Sequence, residues 1–250
     1  MSKKAIQPHL HLSEVNETCI LSGNSDRVPL IAGFLKERKK ISENRGLIAY
    51  EGRTPLKDIP VTVLTTGMGC PSAAIVIEEA FRAGGKVFIR VGSSGALEPG
   101  MKVGEVVIPF AAIRDESTSL NLAPKEFPAI ATPEIHSKLC ESAEDLQIPY
   151  RKGIVWTSDI FYATDSEKFQ RWANCGAKCV EMELSYLFIF GSVKKVKTGG
   201  IVTIDGNLAE GTMKDEEHSG ESDDHFKDGM RKAISCTIKA IEKIHSPPLR

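Results

Sequence analysis

The 250-residue chain has no excess of either charge: 32 lysines and arginines stand against 33 aspartates and glutamates, a formal net charge of −1. That balance gives no general attraction to nucleic acid or to an anionic membrane, so an anion site here has to be local. No apolar run approaches the roughly 18 residues of a membrane span, and the opening MSKKAIQPHLHL lacks the apolar core of a secretory signal. The six cysteines, Cys19, Cys70, Cys140, Cys175, Cys179 and Cys236, are scattered. Only Cys175 and Cys179 stand close, with no second pair or histidine couple to complete a zinc site. Buried free thiols in a reducing compartment are expected, and with them a soluble, cytoplasmic protein that holds no metal. Neither an internal repeat nor a Pro/Ser-rich linker divides the sequence, which reads as one domain over residues 1–250.

What is present has the pattern of an α/β protein. Short β-branched runs at Thr18–Leu21, Val61–Thr65, Val87–Val91, Glu105–Pro109, Gly153–Thr157 and Gly199–Asp205 predict buried strands. Helical patterns fall between them, at Val28–Leu35, Pro71–Ala83, Thr132–Asp145, Glu183–Val193 and Asp224–Ile244. In the second of these, Ile75, Ile77, Ala80 and Phe81 are expected on one apolar stripe. Alternation of this kind implies a sheet with both faces covered by helices. The stretch Leu208–Asp224, rich in Glu, Asp, Gly and Ser, reads as a loop, either disordered or a lid.

Several strand ends carry chemistry. After Val87–Phe88–Ile89 comes Arg90, then Gly92–Ser93–Ser94–Gly95. Glycines let backbone N–H groups approach an anion, serines add hydroxyls, and arginine offers a planar fork for phosphate. A tight turn with a surface arginine gives the same string. Gly23 and Arg27 occupy a second strand-to-helix turn, for which an Asn/Asp helix cap is the alternative. A third, Thr65–Gly69, is again glycine-rich, and three such loops favour one shared site. Val180–Glu181–Met182–Glu183 sets two carboxylates among apolar residues; they suit vicinal ribose hydroxyls, or an ion pair with a core arginine. Asp205 ends a buried strand before Gly206, where a partly desolvated acid can give a proton to a leaving group, or an Asx-turn can form. Phe161–Tyr162 offers a flat surface for a base, or a core aromatic.

In this order and spacing the segments resemble the nucleoside phosphorylase-I family, the hexameric branch with purine nucleoside and uridine phosphorylases. The resemblance runs from Pro8–His9 to the C-terminal helix and is most specific at Ile89–Gly95, Ser158–Tyr162 and Val180–Glu183. It implies a three-layer α/β fold with a central mixed, partly barrel-like β-sheet flanked by helices. By that resemblance Gly23, Arg27, Arg90 and Ser93 bind phosphate, with Arg45 reaching in from a neighbouring subunit. Met182 and Glu183 take the ribose 2′- and 3′-hydroxyls, and a neighbour's His9 the 5′-hydroxyl. Ser94, Gly95, Phe161 and Val180 line the base pocket, and Asp205 protonates purine N7. Phosphate is a co-substrate, no cofactor is implied, and the assembly is a dimer at least and usually a trimer of dimers.

The chain departs from the family pattern at Gly23–Asn24–Ser25, where Gly-Asp-Pro is usual, and has no arginine in the Glu210–Asp224 region after Asp205. It also lacks the Gln and Arg pair that reads uracil, having Ala163–Thr164–Asp165–Ser166–Glu167–Lys168 instead. Lys195–Ile201, followed by Asp205–Gly206, resembles the branch of protozoan parasites that prefers inosine and guanosine. The expected activity is phosphorolysis of 6-oxopurine nucleosides, with uridine phosphorolysis, a hydrolytic nucleosidase and a nucleoside-binding protein as alternatives.

Overall fold

The computed structural model describes residues 5–162, 166–212 and 221–245. The stretch read as a disordered loop or a lid thus lies partly outside the described residues, at 213–220, as do residues 163–165.

The chain begins with β1 (Thr18–Ser22) and a short helix α1 (Arg27–Ala32), and then forms a hairpin of β2 (Lys36–Asn44) and β3 (Leu47–Arg53). β4 (Pro60–Thr65), α2 (Gly69–Ala83), β5 (Val87–Ala96), β6 (Val106–Asp115) and β7 (Ala129–Ile130) follow. The second half runs α3 (Pro133–Asp145), β8 (Tyr150–Ser158), α4 (Ser166–Asn174), β9 (Ala177–Glu181), α5 (Leu184–Lys194), β10 (Lys197–Asn207) and α6 (Glu221–Ile244). No described helix is long and apolar enough to cross a membrane.

All ten described strands join one mixed sheet. Five of them close a ring: β5 pairs with β10, β10 with β6, β6 with β8, β8 with β9, and β9 back with β5. The other arm extends from β5 through β1, β4 and β3 to β2. Side chains alternate across the strands, so Cys19, Leu21 and Phe88 pack on one side with α2 and α5. Ile20, Val87 and Ile89 face the other, with α1, α3 and α6. The result is the expected three-layer α/β architecture with a barrel-like part.

The β5 strand belongs to both arms. Along one edge it follows β10 from Val87 to Ala96. Along the other it pairs with β1 only as far as Arg90, and with β9 only from Gly95 onward. Between those points the sheet splits, and such a split opens a crevice for a ligand in α/β sheets.

Several expectations need correction. Gly92–Ser93–Ser94–Gly95 is no loop: β10 pairs with it throughout, and β5 continues to Ala96. No Gly turn follows Asp205 either, because β10 runs on to Asn207. The helical pattern from Val28 stops at Ala32, where Gly33 follows, and Leu35 leads into a hairpin that periodicity did not reveal. β2 reads KERKKISEN and is mostly exposed; as the last strand of the sheet it carries the lysines that keep an edge from pairing further. In α2 the buried face is Ala73, Val76, Ile77 and Ala80, and Ile75 points outward. Cys175 is exposed, whereas the other five cysteines are buried.

Candidate active site

A cavity of about 470 Å³ occupies the split. Gly23, just after β1, and Thr65, the last residue of β4, form one side. Ser158 and Glu181, which end β8 and β9, form another. The floor is the Arg90–Gly95 stretch of β5 and the end of β10. Of the expected residues, Gly23, Arg27, Arg45, Arg90, Ser93, Ser94, Gly95, Phe161, Val180, Met182, Glu183 and Asp205 all line this one space.

His9 is not among them. Its ring Nδ1 lies 2.6 Å from Glu79 Oε1, and the backbone N–H groups of His9 and Leu10 donate to the same carboxylate. Arg45 has a place at the site of its own chain. It heads the two-residue turn between β2 and β3, where Arg45 and Gly46 have φ of 55° and 78°. The hairpin, whose strands β2 and β3 sit beyond β4, brings Arg45, Gly46 and Leu47 to the cavity lining.

The charged centre is Arg90. It is buried, donates from Nε to Glu181 Oε2 at 3.2 Å, and pairs through Nη2 with Glu183 Oε2. Burial works against its charge, but the Glu183 and Glu181 carboxylates outweigh that and hold its pKa above the ordinary arginine value. Its Nη1 is buried with no hydrogen-bond partner among the described residues. A Cβ added to Gly23 would lie 3.7 Å from that atom, so the unpaired donor faces the Gly23 turn. A desolvated donor without a partner costs of order 1–3 kcal/mol, a deficit that a bound anion removes. Of the two readings of Val180–Glu183, the ion pair with a core arginine is observed, and the paired carboxylates also line the cavity.

Arg27, the first residue of α1, is buried and has its guanidinium carbon 5.9 Å from the Phe226 ring centre. The Asp26 side chain does not cap the helix; Asn24 Oδ1 accepts from the Asp26 N–H in a local turn. Burial and repulsion from Arg90 bring the Arg27 pKa down to about 10, while Asp205 and Glu183 support its charge. It stays a cation at neutral pH. Burial raises the Glu183 carboxyl pKa, with the Arg90 guanidinium opposing. Glu183 also accepts the Gly69 N–H at 2.6 Å, which binds the third glycine-rich turn to the site.

Gly92 has a role other than the one read from sequence. A Cβ there would lie 2.8 Å from Arg90 Cζ, so its missing side chain is the space in which the guanidinium lies. Asp205 is likewise placed by backbone irregularity. Ile204 pairs with Ser94 and Gly206 with Gly95, leaving Asp205 as the extra residue of a β-bulge. A bulge re-aims the side chain that it carries, and this one puts a buried carboxylate at the cavity wall.

The far end of the cavity is apolar: Trp156, Ile160, Phe169 and Leu208 join Phe161 and Val180. The sequence reading missed the first four. Leu208 rests on Gly95, whose Cβ would come within 2.3 Å of Leu208 Cδ1. Asn207 holds that turn, accepting the Ala209 N–H at 3.0 Å and donating to the Glu98 and Met101 carbonyls. The Ser94 hydroxyl donates to the Val180 carbonyl at 2.7 Å and so joins the walls.

A pocket that joins arginines and an orphaned donor with carboxylates and aromatic rings suits a molecule built of an anion, a polyol and a flat base. Comparison with known proteins agrees. The family model described as "Phosphorylase superfamily" matches residues 17–244. The chain belongs to the phosphorylase superfamily.

Among its relatives, the guanosine phosphorylase of Halorubrum lacusprofundi is 33% identical over 243 residues, covering 95% of this chain and 98% of the relative. The uridine phosphorylase of Treponema pallidum is 36% identical over 247 residues, 93% and 91% of the two chains. The solved structure of the purine nucleoside phosphorylase of Toxoplasma gondii, in complex with immucillin-H, superposes with a TM-score of 0.87 at 28% identity and 98% coverage of both chains. The enzyme is thus a nucleoside phosphorylase, a pentosyltransferase acting on a nucleoside and phosphate. For this phosphorylase, Gly92→Ala is expected to displace the Arg90 guanidinium and lower kcat/KM on the order of 10²-fold. Steady-state assays check this, and an unimpaired variant would contradict the packing described.

Proposed function

We propose that the phosphorylase acts on 6-oxopurine nucleosides such as inosine and guanosine, giving free base and ribose 1-phosphate reversibly. The observation that carries this reading is the bulge at Asp205, which sets a buried carboxylate at the wall of a cavity whose far end is apolar and aromatic. Uracil has no ring nitrogen in the position of purine N7, so an acid beside the base is useful chiefly to a purine.

In this scheme Gly23, Arg27, Arg90 and Ser93 hold phosphate together with Arg45 of a neighbouring copy, and Arg90 Nη1 finds its missing partner there. Met182 and Glu183 bind the ribose 2′- and 3′-hydroxyls, and His9 of a neighbouring copy the 5′-hydroxyl. Ser94, Gly95, Phe161 and Val180 enclose the base. Glycosidic cleavage leaves positive charge on the sugar and negative charge on the base. Phosphate stabilises the first and then attacks C1′, while Asp205 donates its proton to N7 and neutralises the second. The nucleophile arrives already charged, so the scheme calls for neither a metal nor a cofactor. A homo-oligomer of at least two copies, built as a trimer of dimers in the cytoplasm, completes the proposal.

One observation favours uridine instead: the relative from Treponema pallidum is named a uridine phosphorylase and is 36% identical. Three arginines around one cavity speak for phosphate over water as nucleophile. Assaying inosine, guanosine, adenosine and uridine, each with and without phosphate, separates the readings. Inosine and guanosine are expected to exceed uridine in kcat/KM by about tenfold or more. A preference for uridine would overturn the purine assignment, and base release without phosphate would overturn phosphorolysis.

A further inference from the structure

Glu181 carries a charged group with no solvent exposure, an arrangement that is costly unless every oxygen is paired. Four donors surround it. Arg90 Nε and the Glu183 N–H donate to Oε2 at 3.2 and 2.8 Å, Thr157 Oγ1 donates to Oε1 at 2.5 Å, and the Leu184 N–H lies 3.0 Å from both oxygens. The Thr157 hydroxyl in turn accepts the Ser185 N–H at 3.0 Å. Carboxylate and hydroxyl together therefore satisfy the opening N–H groups of α5, a task that the Glu183 side chain at its N-cap position does not perform.

The same carboxylate thus reaches two ligand-facing elements. By holding Nε it fixes the plane of the Arg90 guanidinium and leaves Nη1 facing the Gly23 turn. By holding the Glu183 N–H it fixes the backbone from which the Met182 and Glu183 side chains enter the cavity. We propose that Glu181 is a positioning residue that sets Arg90 and the Met182–Glu183 turn in one register, with Thr157 locking its orientation, so that phosphate is held at an attacking distance from the ribose. Misplacing either element by a fraction of an ångström loses alignment between nucleophile and C1′. The inference rests on the reading of Arg90 as a phosphate ligand and of Glu183 as a ribose ligand.

Steady-state kinetics with phosphate and inosine varied independently test it, on Glu181→Gln, Thr157→Val and Thr157→Ser, each also made with Arg90→Ala. Glu181→Gln is expected to raise both KM values about tenfold and to lower kcat, the loss of a charged hydrogen-bond partner being of that size. Thr157→Val should move the same parameters in the same direction, and Thr157→Ser, which keeps the hydroxyl, should restore them. In the Arg90→Ala background, Glu181→Gln should change the phosphate KM by less than about twofold while still raising the inosine KM, the non-additivity of residues that act through one another. Fully additive effects on the phosphate KM would overturn the proposal, as would variants that melt lower with both KM values unmoved. If Arg90→Ala alone leaves the phosphate KM unchanged, the phosphate assignment falls and this inference with it. If Arg90→Ala raises that KM and Glu181→Gln does not, this inference falls alone.

Discussion

Asp205→Asn is expected to lower kcat on inosine by about 10²- to 10⁴-fold, the usual contribution of a general acid, with little change in folding. The amide is isosteric with the acid, and the bulge that places it is set by the pairing of Ile204 with Ser94 and Gly206 with Gly95. Chemistry supplies an internal control. A purine nucleoside already alkylated at N7 carries a cationic base and leaves without protonation, so it should be cleaved by the variant at nearly the wild-type rate. An equal loss on both substrates would mean that Asp205 contributes something other than a proton, and an unimpaired variant on inosine would remove it from the mechanism.

Arg90→Ala is expected to have the second large effect, and on two properties at once. It deletes the cation between Glu181 and Glu183 and leaves two buried carboxylates facing each other. Breaking a buried pair in this way costs about 3–5 kcal/mol, which denaturant titration would read as a lower midpoint. Any activity that survives should show a phosphate KM raised by more than about tenfold, as loss of a charge-assisted contact predicts. Saturating phosphate should restore part of the stability, because an anion that binds only the folded state shifts the equilibrium toward it. A variant as stable as the parent would contradict the central place given to this guanidinium.

The sequence revealed the alternation of strands and helices because those elements are buried and their apolar periods are plain, as at Val87–Val91 and along α6. It also named residues that the fold brings together, since Gly23, Arg27, Arg90, Glu183 and Asp205 converge on one cavity. What it hid depends on pairing, which no local pattern encodes. Gly92–Gly95 looked like a loop because glycine and serine are rare in strands, yet β10 runs beside them and Gly92 serves the Arg90 side chain. The bulge at Asp205 is a mismatch between two strands and cannot be read from either alone. The β2–β3 hairpin escaped because an exposed lysine-rich edge lacks apolar alternation. Trp156 and Leu208 reached the cavity through tertiary packing, and a Gly95 without a side chain to block Leu208 was the one available hint.

The most direct measurement is to incubate the protein with inosine and inorganic phosphate and to follow both products, hypoxanthine by absorbance and ribose 1-phosphate by phosphorus NMR. The account predicts equal amounts of the two, and no hypoxanthine when phosphate is left out. Hypoxanthine formed together with free ribose, or at the same rate without phosphate, would contradict it.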